Sequence, residues 1–191
     1  QLLLPLYRWD PARFTYQVVE ELQSGEGYWA LCLNPDGEEL EAEVIPISKY
    51  QAFLKPGWNM IGSVNQLADF SSPQDEPEGS IVPNTLYRWQ GDRFTYMPSQ
   101  SIEPGRGYWV LTLTPCLLTI DSAAVFAAPL AGVRSASWQL PIGVKTGQQE
   151  EIVWLCLDSR AGEGFDNLDR FVPPASPTES RLEAYLVGGQ Y

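Results

Sequence analysis

Apolar and polar positions alternate along much of this chain with a period of two. In Tyr28-Trp29-Ala30-Leu31-Cys32-Leu33, residues Trp29, Leu31 and Leu33 fall on one face and Tyr28, Ala30 and Cys32 on the other. The same alternation returns at Trp109, Leu111 and Leu113. A period of two predicts β-strands, and the face bearing the tryptophan and leucines is the expected core face. Residues 6–9 and 14–16 read as two shorter strands around Asp10-Pro11-Ala12-Arg13, and Gln90-Gly91-Asp92-Arg93 holds the same place further on. Pro or Gly second in such a quartet predicts a hairpin turn. Ser24-Gly25-Glu26-Gly27 and Pro104-Gly105-Arg106-Gly107 predict turns whose glycines serve a positive φ or a close approach. No segment of ten or more residues carries capped helical periodicity. Residues 64–80, with Ser71-Ser72-Pro73 and Asp75-Glu76-Pro77-Glu78, read as a surface loop with one helical turn around Asn65 to Phe70. Short strands with frequent turns predict an all-β fold of antiparallel sandwich or barrel-like modules.

The alternation is repeated at a fixed offset of 80 residues. Leu6-Tyr7-Arg8-Trp9 returns as Leu86-Tyr87-Arg88-Trp89, and Arg13-Phe14-Thr15-Tyr16 as Arg93-Phe94-Thr95-Tyr96. Fifteen of the thirty positions from 6 to 35 are identical to those from 86 to 115 without a gap. Unrelated sequences of ordinary composition would match at about two, so the chain contains a duplication. Trp58 maps onto Trp138 at the same offset, and Val153-Trp154-Leu155-Cys156-Leu157 echoes residues 28–33 more faintly. The expected units are an incomplete first repeat (1–48), a complete second repeat (49–128) and a divergent third β-segment (129–191). The counterpart of Trp58 in the first repeat would precede Gln1, so the first repeat is expected to lack its opening strands. Unpaired sheet edges are templates for another chain, and a neighbour's strand could fill them.

Composition narrows the chemistry. Twelve basic and 24 acidic residues give a formal net charge of 12 − 24 = −12. That balance disfavours nucleic acid and anionic membrane surfaces, which need clustered Lys and Arg, and no stretch approaches a membrane span. The chain has no histidine, which removes His-dependent catalytic triads and the commonest metal ligand. No phosphate-cradling glycine loop is present, and the chain is expected not to be an enzyme. Cys32, Cys116 and Cys156 lack zinc-site spacing and read as buried thiols acting as small hydrophobes, or as one bridged pair with a thiol left over. Asp158, Glu163, Asp166, Asn167 and Asp169 cluster around Gly162 and Gly164; they read as a solvated acidic loop or as oxygen ligands for Ca²⁺. No other cofactor is implied. Tyr7, Trp9, Tyr87, Trp89, Phe94 and Tyr96 read as core or cross-strand pairs, or as a stacking platform for glycans. Arg8 and Arg88 read as partners of acidic residues or of aromatic rings.

Pro56-Gly57-Trp58-Asn59-Met60-Ile61-Gly62, Leu86-Tyr87-Arg88-Trp89 and Glu103-Pro104-Gly105-Arg106-Gly107-Tyr108-Trp109-Val110 together resemble a known module. It is the "GWN … PGxGYWV" β-domain of large secreted and cell-surface bacterial proteins. Residues 164–174, with Gly164-Phe165-Asp166 and Pro173-Pro174, resemble the "GFD … D … PP" segment that often follows it. The resemblance implies export and a structural or adhesive role, with self-association or other cell-surface proteins as partners. It brings no catalytic residues. The alternative role is a carbohydrate-binding accessory module of a larger secreted protein.

Overall fold

The structure is a computed structural model that describes residues 2–32, 45–91, 95–123, 137–147, 149–160 and 171–177. It is all-β: among the described residues there is no helix, and every strand pairing is antiparallel. The strands in chain order are β1 (Leu2–Asp10), β2 (Thr15–Val19), β3 (Trp29–Cys32), β4 (Lys49–Leu54), β5 (Gly57–Ile61), β6 (Ala68–Asp69) and β7 (Gln74–Glu76). They continue with β8 (Tyr87–Gln90), β9 (Thr95–Pro98), β10 (Ser101–Ile102), β11 (Tyr108–Thr112), β12 (Cys116–Asp121), β13 (Trp138–Thr146) and β14 (Gln149–Leu157). The sheets are ordered β2-β1-β3, β5-β11-β8-β9, β4-β12-β7, β10-β6 and β13-β14.

The duplication extends to strand pairing. Tyr7, Arg8, Trp9 and Asp10 face Val18, Gln17, Tyr16 and Thr15. Tyr87, Arg88, Trp89 and Gln90 face Pro98, Met97, Tyr96 and Thr95, the same partners 80 residues on. Tyr7 also faces Trp29 across β1 and β3, as Tyr87 faces Trp109 across β8 and β11. The hairpin predicted at residues 10–13 is present, with the Asp10 carboxylate accepting the Ala12 N–H at 3.0 Å. One difference separates the two sheets. β11 has β5 on its far side, whereas β3 has no strand beyond it among the described residues.

The second repeat holds the main core. Leu54, Ile61, Val64, Phe70, Leu86, Ile102, Tyr108, Val110, Leu118 and Ile120 are buried together there. β11 is buried along its whole length and on both faces. Tyr108 and Val110 point into this core, while Trp109 points into a second, aromatic cluster. The expectation of a single core face was therefore too narrow: period-two alternation sorts side chains onto two faces but does not say whether both are covered. In the first repeat the Trp29–Leu31 face is only partly covered, and Leu31 is 38% exposed.

Residues 64–80 are not a surface loop with a helical turn. They contribute β6 and β7, and Val64, Ala68 and Phe70 enter the core. Irregular spacing conceals them, because two short strands separated by turns never complete a period. No disulfide joins the three cysteines. Only Cys116 is buried as expected; Cys32 is exposed and Cys156 half-buried, because neither β3 nor β14 has a second layer covering that side among the described residues. Burial, with the Asp75 carboxylate nearby, pushes the Cys116 thiol above its ordinary pKa.

Asn59 explains the Trp-Asn pair after Pro56-Gly57. Its amide donates to the carbonyls of Lys55 (2.8 Å) and Gly57 (2.9 Å), and its Oδ1 accepts the Lys55 N–H at 3.1 Å. One side chain thus closes the β4–β5 turn, in which Gly57 sits at φ 98°, a region open to glycine.

Beyond the second repeat, β13 and β14 form a two-stranded ribbon. Trp138, Leu140, Ile142 and Val144 alternate on β13, opposite Leu157, Leu155, Val153 and Glu151 on β14. Trp138, Leu140, Ile142, Val144, Leu155 and Leu157 are all exposed.

Candidate functional site

Four of the six sequence-selected aromatics, Trp9, Tyr87, Trp89 and Tyr96, converge on one seam between the two repeats. Trp9, Tyr96 and Trp109 are buried in it, and Tyr16, Trp29, Trp58, Met60, Tyr87 and Trp89 pack around them. Tyr7 lies half-buried on β1. Phe94 lies outside the described residues.

The seam is reciprocal. Trp9 meets Trp109 at 5.4 Å between ring centroids, and Trp29 meets Trp89 at 4.9 Å. Tyr16 meets Trp109 at 6.4 Å, and Tyr96 meets Trp29 at 6.3 Å. Within each repeat, Trp9–Tyr16 and Trp89–Tyr96 lie 5.1 and 5.0 Å apart. Adding or subtracting 80 exchanges the members of each pair of contacts, which is the mark of a two-fold, isologous packing. All are edge-to-face contacts, the favoured arrangement for ring quadrupoles. The axis passes near Gly27 and Gly107: a Cβ placed on Gly107 would lie 3.6 Å from the Gly27 Cα.

Small residues allow that approach. Gly25 and Gly105 hold φ of 85° and 73° in the two equivalent turns. A Cβ on Gly27 would sit 2.7 Å from the carbonyl oxygen of Ile61. The Gly62 N–H donates to the Gly25 carbonyl at 2.8 Å, seating the first repeat's turn on the end of β5. The arginines act as expected: Arg8 reaches Glu26 and Arg88 reaches Glu103, each at 3.5 Å. Tyr28, just before β3, and Tyr108, which opens β11, also act alike. The Gln23 N–H donates to Tyr28 Oη and the Glu103 N–H to Tyr108 Oη, both at 2.8 Å. Desolvation, the largest influence on both phenols, raises their pKa.

Symmetry fails at the indole N–H groups. Trp9 Nε1 donates to the Trp58 carbonyl at 2.8 Å, and Trp109 Nε1 to Tyr96 Oη at 3.1 Å. Trp29 Nε1 is buried with no acceptor among the described residues. An unsatisfied buried donor costs about 1–3 kcal/mol. Trp29→Phe removes that donor while keeping an aromatic ring. It is expected to change unfolding free energy by less than about 1 kcal/mol, whereas Trp9→Phe, which orphans the Trp58 carbonyl, loses about 1–3 kcal/mol. Urea unfolding of the two variants side by side measures the difference.

A shallow open cleft of about 220 Å³ borders the seam, lined by Trp29, Trp89, Arg88 and Arg106 among others. Across the seam runs residues 171–177, Phe171-Val172-Pro173-Pro174-Ala175-Ser176-Pro177. Tyr16 Oη donates to the Ala175 carbonyl at 2.6 Å and Tyr96 Oη to the Pro174 carbonyl at 2.9 Å. Nothing in the sequence pattern linked these prolines to the aromatic repeats.

Of the acidic candidates and Asn167, only Asp158 lies within the described residues. Glu163, Asp166 and Asp169 lie outside them. The Asp158 carboxylate accepts from the Ser137 N–H and Oγ–H at 3.0 and 2.9 Å, and from Arg160 Nε and Nη2 at 2.6 Å each. The Arg160 guanidinium, followed by its N–H, holds this carboxyl far below the usual carboxylate range. It clamps the open end of the β13–β14 ribbon. Among the described residues no group of three His, Cys, Asp or Glu is placed to hold a metal ion. No described helix is long and apolar enough to cross a membrane.

No family model, curated protein or solved structure matches this chain.

Proposed function

We propose that the chain is an extracellular structural or adhesive module whose copies join by strand addition at β3. The observation that carries this reading is the difference between two otherwise equivalent sheets. β8, β9 and β11 are completed by β5, while β1, β2 and β3 keep the same register without such a strand among the described residues. An open strand edge recruits an extended segment through main-chain hydrogen bonds. The exposed apolar side chains of β13 and β14 add a second surface suited to association. The net charge of −12 keeps the dispersed protein soluble.

The test is negative-stain microscopy and solution mass of the isolated protein, with and without excess peptide Lys55-Pro56-Gly57-Trp58-Asn59-Met60-Ile61-Gly62-Ser63-Val64. Filaments or arrays are expected, and the peptide should disperse them by taking the place beside β3. A monomer indifferent to the peptide would sink the reading. Glycan binding is the second reading, favoured by the Trp- and Arg-lined cleft beside the seam; a glycan array probed with dispersed protein decides it.

A further inference from the structure

Residues 171–177 contain three prolines in seven positions. Proline fixes φ near −65° and has no N–H to donate. It also drives the residue before it toward extended or polyproline II backbone. Val172, Pro173 and Ser176 all precede a proline. Such a segment carries exposed carbonyl acceptors and no internal hydrogen bonds. It is recognised by aromatic walls that cover the rings and by side-chain donors that reach the carbonyls.

The seam supplies the donors, and its rings stand beside them. Pro173 is buried. The carbonyls of Pro174 and Ala175, adjacent in sequence, accept from Tyr96 and Tyr16. These tyrosines are equivalent residues of the two repeats, so the two-fold packing is what brings their hydroxyls to consecutive carbonyls. The rings of both stand against tryptophans on either side of the axis, so the donors are held in place before any ligand arrives. Neither repeat alone presents this pair of donors.

We infer that the aromatic seam is a binding site for extended proline-rich peptide, and that the chain's own residues 171–177 are its resident occupant. A proline-rich segment of another polypeptide would bind there by displacing them. This inference is independent of strand addition at β3 and can fail or stand without it.

The experiment uses the full chain and a fluorescent peptide, Phe-Val-Pro-Pro-Ala-Ser-Pro, read by fluorescence polarisation. Pro173→Gly with Pro174→Gly loosens the resident segment without touching the seam. Near-ultraviolet circular dichroism of the clustered rings reports whether the seam remains folded. The double variant is expected to bind the peptide at least about tenfold more tightly than the unaltered chain. Adding Tyr16→Phe, which keeps the ring and removes one donor, is expected to weaken binding several-fold, and adding Tyr96→Phe as well, which also takes the acceptor from the Trp109 indole N–H, about tenfold or more in all. A scrambled peptide with its prolines replaced by glycine should not bind. Equal binding of the scrambled peptide, or indifference to the loss of both hydroxyls, overturns the inference. If the double variant does not fold, the unaltered chain is titrated with excess peptide. A saturable change in tryptophan emission, weakened by Tyr16→Phe, then supports the site, and no saturable change overturns it.

Discussion

Trp109→Ala is expected to lower the unfolding free energy by about 3–5 kcal/mol, the range for removing a large aromatic from a core. Trp109 is 2% exposed. It faces Trp9, Tyr16 and Trp58 at 5.4, 6.4 and 6.3 Å, and its indole N–H donates to Tyr96. Its removal opens a void at the centre of the seam and strips edge-to-face partners from three rings. Each aromatic pair is worth about 0.5–1.5 kcal/mol beyond its buried area, so the loss lies toward the upper part of the range. Leu113→Ala lies one residue beyond the same strand with a side chain 55% exposed. It should change stability by no more than about 0.5 kcal/mol. Guanidinium unfolding followed by tryptophan emission measures both. Equal effects would mean that the rings merely touch and do not hold the repeats together.

Gly27→Ala is expected to cost about 1–3 kcal/mol, the usual penalty for overpacking. The added methyl would lie 2.7 Å from the Ile61 carbonyl oxygen. That atom belongs to the backbone of β5, whose pairing with β11 runs through Ile61 and Tyr108, so it cannot withdraw cheaply. The reverse substitution site, Gly62, is equally closed, with a Cβ there 2.6 Å from the Glu26 carbonyl. The damage should be local. Gly27→Ala is expected to speed amide hydrogen exchange in β1, β2 and β3 while leaving β4, β11 and β12 protected. Uniform acceleration across both groups would show that the repeats unfold as one unit.

The sequence made some of this legible. Fifteen identities at a constant offset predicted matching strands, and the registers of Trp9 with Tyr16 and Trp89 with Tyr96 agree residue for residue. Local pattern suffices there, because hairpin register is set by a short turn and by which face is apolar. The glycines of the two turns were legible for the same reason. The meeting of the repeats was not. Trp29 reaches Trp89 across sixty residues of chain, and alternation on β3 says nothing about what covers it. Nor did the prolines of residues 171–177 carry any mark of their destination: Tyr16 and Ala175 are 159 positions apart. The buried Val64, Ala68 and Phe70 escaped notice because their spacing fits neither a helix nor a long strand.

The reciprocal seam has a consequence for arrays longer than this one. A face that fits its own duplicate is self-complementary, so successive copies of the motif need not stack like coins; they can marry in couples. An even number of copies leaves every tryptophan face wedded. An odd number leaves one bachelor face, apolar and ring-lined, looking for a mate. Parity, more than length, would then decide whether a polypeptide of such units is content alone or sticky.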